Sequence, residues 1–272
     1  MIGRLHPFPS TAAALEPRAS LPPGRRVYAI GDVHGRLDLL KVLAETIERD
    51  HAAGGPAETS IVLLGDLIDR GPDSAGVVRF AREWQQRREV RILAGNHEEM
   101  FLKSFASTDT LRHFLRHGGR ETLFSYGVDP KAYVAASLDE VQRLMAEAVS
   151  EQERAFIAGF EDMVTLGDYV FVHAGINPAH PFDRQSSTDL RWIREPFLSH
   201  PEQFERVVVH GHTIAPEVVS RANRIGVDTG AYASGRLTAV ALEGSERRFI
   251  EAVAGESGAI STRAFQSVPG SL

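Results

Sequence analysis

Residues 27–35 read VYAIGDVHG, in which four apolar residues are followed by a glycine, Asp32 and then His34. An apolar run that ends at a glycine is typical of a buried strand in a parallel sheet. Similar runs occur at 61–64, directly before Gly65, and at 90–93, where Arg91 stands among apolar residues and Gly95 follows Ala94. Amphipathic stretches of helical period lie between the runs. This alternation of strand and helix predicts an α/β fold with a parallel sheet.

The rest of the chain divides into a helical middle and a second group of strands. Residues 98–163 indicate several helices, broken near 118–119 and 127–130, and we interpret them as a helical cap. Strand signals then return at 169–172, 207–209, 225–227, 237–242 and 247–253. These runs predict a second sheet, so the whole has α/β (α+β) character.

The length of 272 residues favours a single catalytic domain, for which we predict the bounds 25–255. Residues 1–24 contain five prolines and lack the apolar core of a signal peptide, which predicts a flexible N-terminal arm. Residues 256–272 are predicted to form a C-terminal tail. No apolar stretch is long enough to span a membrane, so we expect a soluble, cytoplasmic protein without a membrane partner.

The bulk composition limits the chemistry and the partners. The chain has 30 Lys and Arg residues against 36 Asp and Glu residues, and the net charge of −6 does not favour a nucleic acid as partner. It has no cysteine, which excludes disulfides, thiolate metal ligands and a cysteine nucleophile. Any metal site must therefore use His, Asp, Glu or Asn.

Polar side chains follow each predicted strand. Asp66 and Asp69 come after the second apolar run, Asn96 comes after the third, and His173 and His210 close two later runs. In α/β sheets, ligands bind beyond the carboxyl ends of the strands, so we expect these side chains to lie together. Oxygen and imidazole ligands without sulfur suit divalent ions, and pairs of ions about 3.5–4 Å apart serve phosphoryl transfer. Two divalent ions are predicted, with Mn as the first candidate and Fe, Zn, Mg, Co or Ni as alternatives.

Three motifs stand out: GDVHG at 31–35, GDLIDRG at 65–71 and GNHE at 95–98. Together with the later HAG and HGHT elements, they resemble the phosphoprotein phosphatase (PPP-type serine/threonine phosphatase) branch of the calcineurin-like metallophosphoesterases, bacterial type. The resemblance covers nearly all of residues 26–242. It implies two mixed β-sheets packed as a sandwich and flanked by helices, with a helical cap.

The resemblance also implies the metal ligands. One ion would be held by Asp32 and His34, Asp66 would bridge both ions, and the second ion would be completed by Asn96, His173 and His210. A bridging carboxylate reduces the repulsion between two cations, and a water shared by both ions loses its proton near neutral pH. The resulting hydroxide would attack phosphorus directly, without a covalent phosphoenzyme.

Other residues are implied to act on the substrate. His97 resembles the family's general acid, which protonates the departing alkoxide, and Asp69 would orient its ring. Arg70 resembles a phosphate clamp, because a guanidinium presents paired donors to two phosphate oxygens. For a second phosphate-binding arginine, Arg194 is the preferred candidate and Arg191 the alternative.

Some residues depart from the family pattern or stand outside it. Bacterial members often carry an arginine directly before GNHE, whereas this chain has Ala94, so part of the expected phosphate clamp has no counterpart. His212 is assigned to support a neighbouring ligand, and residues 228–231 to the floor of the site or to a turn. No role is assigned to the remaining histidines, which are His6, His51, His113, His117, His180 and His200.

The resemblance implies hydrolysis of phosphomonoesters, with phosphoserine or phosphothreonine in proteins as the leading substrate class. Hydrolysis of diadenosine tetraphosphate is the principal alternative, since the same centre serves those hydrolases. An open groove would favour proteins, whereas a closed pocket lined by Phe182, Trp192 or Phe197 would favour adenine. A non-catalytic phosphate-binding module is disfavoured because the ligand and acid residues are all present.

Overall fold

The computed structural model describes residues 19–266, and it contains a strand at every position where the sequence predicts one. The strands are β1 Arg25–Ile30, β2 Glu58–Leu63, β3 Glu89–Ile92, β4 Met163–Leu166, β5 Tyr169–Val172, β6 Val207–His210, β7 Val219–Ser220, β8 Arg224–Gly226, β9 Arg236–Glu243, β10 Glu246–Ala254 and β11 Ile260–Phe265. The α-helices are α1 Leu37–Ala53, α2 Ser74–Gln85, α3 Asn96–Ser104, α4 Thr108–Phe114, α5 Arg120–Ser125, α6 Pro130–Ala135, α7 Leu138–Ala148, α8 Glu151–Ala158, α9 Ser187–Trp192 and α10 Ala231–Ser234. Within the described range, no helix combines the length and the apolar character needed to cross a bilayer.

The strands form two mixed sheets. The first has the order β11-β10-β9-β1-β2-β3, with β1, β2 and β3 parallel to one another. The second has the order β4-β5-β6-β8-β7, with β5, β6 and β8 parallel. In the first sheet, the parallel strands lie on one side, with β3 at the edge, and the antiparallel strands β9, β10 and β11 lie on the other. In the second sheet, the antiparallel strands β4 and β7 flank the parallel strands. The carboxyl ends of each parallel set share one edge of their sheet.

The alternation of side chains along β1 explains how the two sheets pack. Val27 joins Phe171 and Val209 of the second sheet in a buried apolar cluster between the sheets. The next residue, Tyr28, points the other way and packs with Ile47 of α1. Full burial of an apolar side chain of this size contributes about 1.5–3 kcal/mol, so both faces of the first sheet stabilise the fold. The predicted sandwich of two mixed sheets flanked by helices is confirmed, although the runs 237–242 and 247–253, which the sequence placed in the second sheet, form β9 and β10 of the first.

The segment between β3 and β4 is helical, as the sequence predicts. It comprises α3 to α8 and a π-helical turn at Leu115–Gly119. Its helices α5 and α8 pack on α2, while Phe101 and Phe114 are buried against each other inside the segment. The predicted breaks are present, because Gly118 and Gly127 adopt φ values of 105° and 92°. β4, which was not predicted, begins at the end of this segment.

Both ends of the described range are more ordered than the sequence suggested. Leu21 lies in the predicted N-terminal arm, yet its backbone N–H donates to the Gly244 carbonyl at 2.9 Å and its side chain is buried between the sheets. Ile260–Phe265 lies in the predicted tail, yet it pairs with β10 as an edge strand. The packed region therefore extends beyond the predicted bounds of 25–255; residues 1–18 and 267–272 lie outside the described range.

Candidate metal centre

The predicted ligands converge where the parallel strands of both sheets end. Asp32 follows β1, Asp66 follows β2 and Asn96 follows β3, while His173 follows β5 and His210 is the last residue of β6. All five side chains are buried. Residues more than 170 positions apart in the chain thus meet in one polar cluster between two apolar sheets, as the strand-end rule predicts.

Strained backbone concentrates in the loops of this cluster. Among residues 19–266, five non-glycine residues have positive φ: His34 (45°), Asp66 (50°), Asp69 (74°), Arg70 (68°) and His212 (61°). A non-glycine residue in this region costs on the order of 1–3 kcal/mol and persists only where the surroundings hold it. Such strain is typical of functional sites.

Asp66 is the common member of two groups that could each hold a cation. Its Oδ2 lies 3.5 Å from His34 Nε2, and its Oδ1 lies 3.4 Å from His173 Nε2. His97 completes the first group and His212 completes the second, with the ligand atoms of each group within 4.8 Å of one another. One carboxylate shared by two imidazole groups suits two adjacent divalent ions. Neither group includes Asp32 or His210; the His210 ring packs against Phe197, with the centroids 5.0 Å apart, and its Nε2 lies beside Gly226.

The imidazoles are oriented by backbone carbonyl groups. The Nδ1 atoms lie 2.8 Å from the Ile68 oxygen for His34, 2.8 Å from the Leu64 oxygen for His173 and 3.0 Å from the Gly211 oxygen for His210. Each Nδ1 is therefore assigned as the N–H donor, which leaves a lone pair on Nε2. Burial lowers the pKa of all three rings, that of His210 to about 3. Neutral imidazoles with a free Nε2 lone pair are the form that binds metals.

Several polar atoms in the cluster lack a hydrogen-bonding counterpart. The Nε2 atom of His173 faces the Asn96 Oδ1 atom at 3.0 Å, although both atoms are acceptors in the assigned forms. Within residues 19–266, the buried Nε2 atoms of His210 and His212 have no hydrogen-bond partner. Buried polar atoms are rarely left unpaired. A cation between the acceptors of His173, Asn96 and His212 would satisfy these atoms, so this set of side chains fits a divalent metal ion.

Asp32 belongs to a second, carboxylate-rich part of the cluster. Both of its oxygens accept from the His212 backbone N–H at 3.1 Å. Burial and the neighbouring charges of Asp228 and Asp66 raise the pKa of the Asp32 carboxyl, and burial raises that of Asp228 to about 6. A bound cation would relieve the crowding of buried carboxylates. Asp228, from the loop 228–231 that the sequence assigned to the floor of the site, lies beside Asp32.

Arg70 bridges two of the imidazoles. Its Nη1 donates to His34 Nε2 at 2.8 Å and its Nη2 donates to His97 Nε2 at 3.0 Å. The guanidinium also lies over the ring of Tyr232, 4.7 Å from the centroid. A metal ion on His34 would use the same lone pair as this hydrogen bond, so the two contacts exclude each other.

His97 is held by a chain of buried hydrogen bonds. Its Nδ1 lies 2.6 Å from Asp69 Oδ2, and Asp69 Oδ1 accepts from the Thr122 hydroxyl at 2.6 Å. The Asp69 backbone N–H donates to the hydroxyls of Ser74 and Thr122, each at 2.9 Å. Thr122 and Ser74 were not identified from the sequence. They fix the carboxylate that orients the imidazole, and Thr122 brings α5 of the helical segment into contact with this pair.

Glu98 is a further residue whose role the sequence did not reveal, although it ends the GNHE motif. Its Oε1 accepts from the Leu67 N–H at 2.8 Å, and its Oε2 accepts from the N–H groups of Asp66 and Gly95, both at 2.9 Å. The fully buried carboxylate thus joins the loop after β2 to the start of α3. Burial, followed by the charge of Asp66, raises its pKa to about 7.

Replacing Glu98 with glutamine should destabilise the fold. The amide keeps one acceptor oxygen and places an NH₂ group against backbone N–H donors, so we expect a loss of about 2–4 kcal/mol in the free energy of unfolding. Urea denaturation in the presence of a chelator measures this change without a contribution from metal binding. Glu151→Gln is the control, because that side chain is 94% exposed. A loss for Glu98→Gln no larger than the control would show that the carboxylate does not hold the loop.

A cavity of about 170 Å³ opens onto the cluster. It is lined by Asp66, Arg70, Asn96, His97, Met100, His113, His117, Trp192, Arg194 and His212. A larger groove of about 880 Å³ lies between α1 and α2, but none of the predicted site residues lines it. The smaller cavity is therefore the candidate active site, because the titratable groups face it.

The lining of the cavity distinguishes between candidate residues whose roles the sequence alone did not decide. Arg194 lines it, whereas Arg191 is paired with Asp162 at 2.6 Å and with Glu99 at 3.4 Å. Of the aromatic candidates, Trp192 lines the cavity and Phe197 is fully buried beside His210. His113 and His117, to which the sequence assigned no role, also line it. Their spacing of four residues was the available signal.

Comparison with known proteins identifies one protein family that matches this sequence. The sequence profile described as calcineurin-like phosphoesterase matches residues 25–239. Serine/threonine-protein phosphatase 1 of Salmonella typhimurium is 30% identical over 226 residues, which cover 79% of this chain and 90% of the relative. The asymmetrical bis(5'-nucleosyl)-tetraphosphatase PrpE of Bacillus velezensis is 27% identical over 238 residues, which cover 77% of this chain and 86% of the relative.

Solved structures share the fold. The cold-active protein-tyrosine phosphatase of a psychrophilic Shewanella species has a TM-score of 0.56 with this chain at 20% sequence identity. The match covers 89% of this chain and 83% of the other. At this identity the likeness concerns the architecture alone.

Proposed function

The chain belongs to the calcineurin-like phosphoesterase family, and we propose that it hydrolyses phosphomonoesters, with phosphoserine and phosphothreonine in proteins as its substrate class. The observation that carries this proposal is the buried Asp66 carboxylate, shared by two imidazole groups beside a cavity that Arg70 and Arg194 also line. The resemblance to the Salmonella serine/threonine-protein phosphatase supports the substrate class.

We propose that two divalent ions, with Mn as the first candidate, are held by Asp32, His34, Asp66, Asn96 and His173, and by His212 in place of the predicted His210, because the His212 side chain completes the group with Asp66 and His173. When bound, such ions stabilise charge on the phosphoryl oxygens and activate the attacking water. The chain contributes neutral, oriented imidazoles and a carboxylate that faces both ion positions. His212 supports Asp32 through its backbone N–H.

His97 and the arginines act on the substrate in this proposal. Burial lowers the pKa of the His97 imidazole, but the charge of Asp66 and the hydrogen bond with Asp69 outweigh it, so the net shift is upward. The raised pKa favours a proton on His97 Nε2 for the departing alkoxide. Arg70 must first release that nitrogen, and a phosphate that accepts from Arg70 and Arg194 would draw it away.

Hydrolysis of dinucleoside tetraphosphates is the second candidate. The resemblance to the Bacillus tetraphosphatase supports it, and Trp192 offers an aromatic surface in the cavity on which adenine could stack. The cavity of about 170 Å³ is smaller than the roughly 300–1,000 Å³ typical of small-molecule pockets, which favours a substrate that inserts only its phosphorylated end.

The test is parallel turnover of a phosphothreonine peptide and of diadenosine tetraphosphate by the Mn-loaded protein. A chelated sample and the Asp66→Asn variant are the controls for metal-dependent activity. We expect kcat/KM for the peptide to be at least about tenfold higher, which corresponds to roughly 1.4 kcal/mol of preferential transition-state binding. A preference of that size for the dinucleotide would replace the proposal with the second candidate.

A further inference from the structure

Two histidines of the helical segment face the candidate active site and take no part in the proposed chemistry. His113 lies in the last turn of α4, and His117 lies in the π-helical turn that follows it. Both line the cavity that also contains His97, Arg70 and Arg194. Their rings contact each other, with the centroids 4.1 Å apart.

The break after His117 fixes the position of this pair relative to Arg70. Gly118 has a φ of 105°, and its carbonyl oxygen accepts from the Arg70 backbone N–H at 3.1 Å. A Cβ atom on Gly118 would lie only 2.6 Å from that nitrogen, so a side chain at this position does not fit. The close approach joins the helical segment to the loop after β2 and holds the two histidines at the rim of the cavity.

The cavity is lined by more arginine and histidine side chains than the binding of one phosphate group requires. Its lining contains two arginines and four histidines, and among the described residues that line it the only carboxylate is Asp66. In the proposed chemistry, Arg70 and Arg194 already contact the scissile phosphate. His113 and His117 belong to the helical segment, and Arg116 stands between them in the sequence. They remain available for a second anionic group.

The geometry of the pair suits an anion. His117 Nδ1 lies 2.8 Å from the His113 carbonyl oxygen, which assigns the N–H to Nδ1 and leaves Nε2 free. Burial, followed by the neighbouring His117 and Arg116, lowers the pKa of the His113 imidazole, so the pair carries at most one positive charge. A protonated imidazole donates through both ring nitrogens, so one charged ring would present an N–H to an anionic oxygen in the cavity.

We propose that His113 and His117 form a second anion subsite, which selects substrates that carry another anionic group linked to the scissile phosphate ester. This inference rests on the proposed function of the site. The second group is an acidic or phosphorylated side chain in a phosphopeptide, or a further phosphate in an oligophosphate chain. Both sources present the same anionic oxygens to the imidazoles.

The test measures two ratios of kcat/KM values between substrates, each in the wild type and in the double variant His113→Gln/His117→Gln. Ratio one compares a phosphothreonine peptide with acidic flanking residues to the same peptide with neutral flanks. Ratio two compares diadenosine tetraphosphate with p-nitrophenyl phosphate. Arg112→Gln is the matched control, since it removes a positive charge from the same helix at a side chain that pairs with Asp109 outside the cavity.

We expect the double variant to lower the first ratio about tenfold, a loss of the size of one charge-assisted contact, and Arg112→Gln to leave it within about twofold. An unchanged ratio in the double variant, or an equal fall in the control, would overturn the subsite. If neither peptide is hydrolysed while diadenosine tetraphosphate is, the protein-phosphatase proposal fails and the second ratio decides the subsite by the same criterion.

Discussion

Replacing Asp66 with asparagine is expected to lower kcat by on the order of 10⁴-fold or more and to reduce the bound metal. The reason is the position of this carboxylate between the two imidazole groups, 3.5 Å from His34 Nε2 on one side and 3.4 Å from His173 Nε2 on the other. Asparagine keeps one oxygen but removes the negative charge and the second ligand atom. Two adjacent cations would then repel each other without compensation.

Turnover of p-nitrophenyl phosphate and metal content by mass spectrometry, measured on the same Mn-loaded preparation, check this prediction. Asp109→Asn is the control, because that carboxylate is 90% exposed and pairs only with a neighbouring arginine of α4 among the described contacts. Circular dichroism establishes that both variants are folded. Retention of two ions with normal turnover in Asp66→Asn would exclude a bridging role.

Much of the architecture could be predicted because local sequence determines it. The buried parallel strands have short, largely apolar runs, and the residues after them are placed by the rule that carboxyl ends of parallel strands meet. Asp32, Asp66 and Asn96 could therefore be grouped without any structure. β11 was not predicted, because its side chains are largely exposed at the edge of the first sheet and leave no apolar pattern.

The residues that could not be predicted act through tertiary contacts. Thr122 lies 53 positions from Asp69, and nothing in its own neighbourhood indicates that its hydroxyl reaches a buried carboxylate. The choice between Arg191 and Arg194 likewise depends on Asp162, which pairs with Arg191 and holds it in an ion pair. Side-chain partners of this kind depend on how the helical segment packs against the rest of the domain. The periodicity of a sequence indicates only which face of a helix is buried, so it could not identify them.

His97→Asn should separate acid catalysis from metal binding. The imidazole is held through Nδ1 by Asp69 at 2.6 Å, so its Nε2 is the atom that would give a proton to the leaving oxygen. An alkoxide such as that of threonine needs this proton, whereas p-nitrophenolate leaves readily without it. We therefore expect kcat for a phosphothreonine peptide to fall by about 10²–10⁴-fold, and kcat for p-nitrophenyl phosphate to fall by less than about tenfold.

Metal content decides between the two roles that the structure allows for His97. Because His97 also lies in the group with His34 and Asp66, it could itself be a ligand, and its removal would then release an ion. If His97→Asn retains both ions and slows the phosphothreonine peptide more than p-nitrophenyl phosphate, His97 is the general acid. Equal slowing of both substrates with loss of one ion would make His97 a ligand. His180→Asn, an exposed histidine outside the cavity, should change neither quantity and controls for the substitution itself.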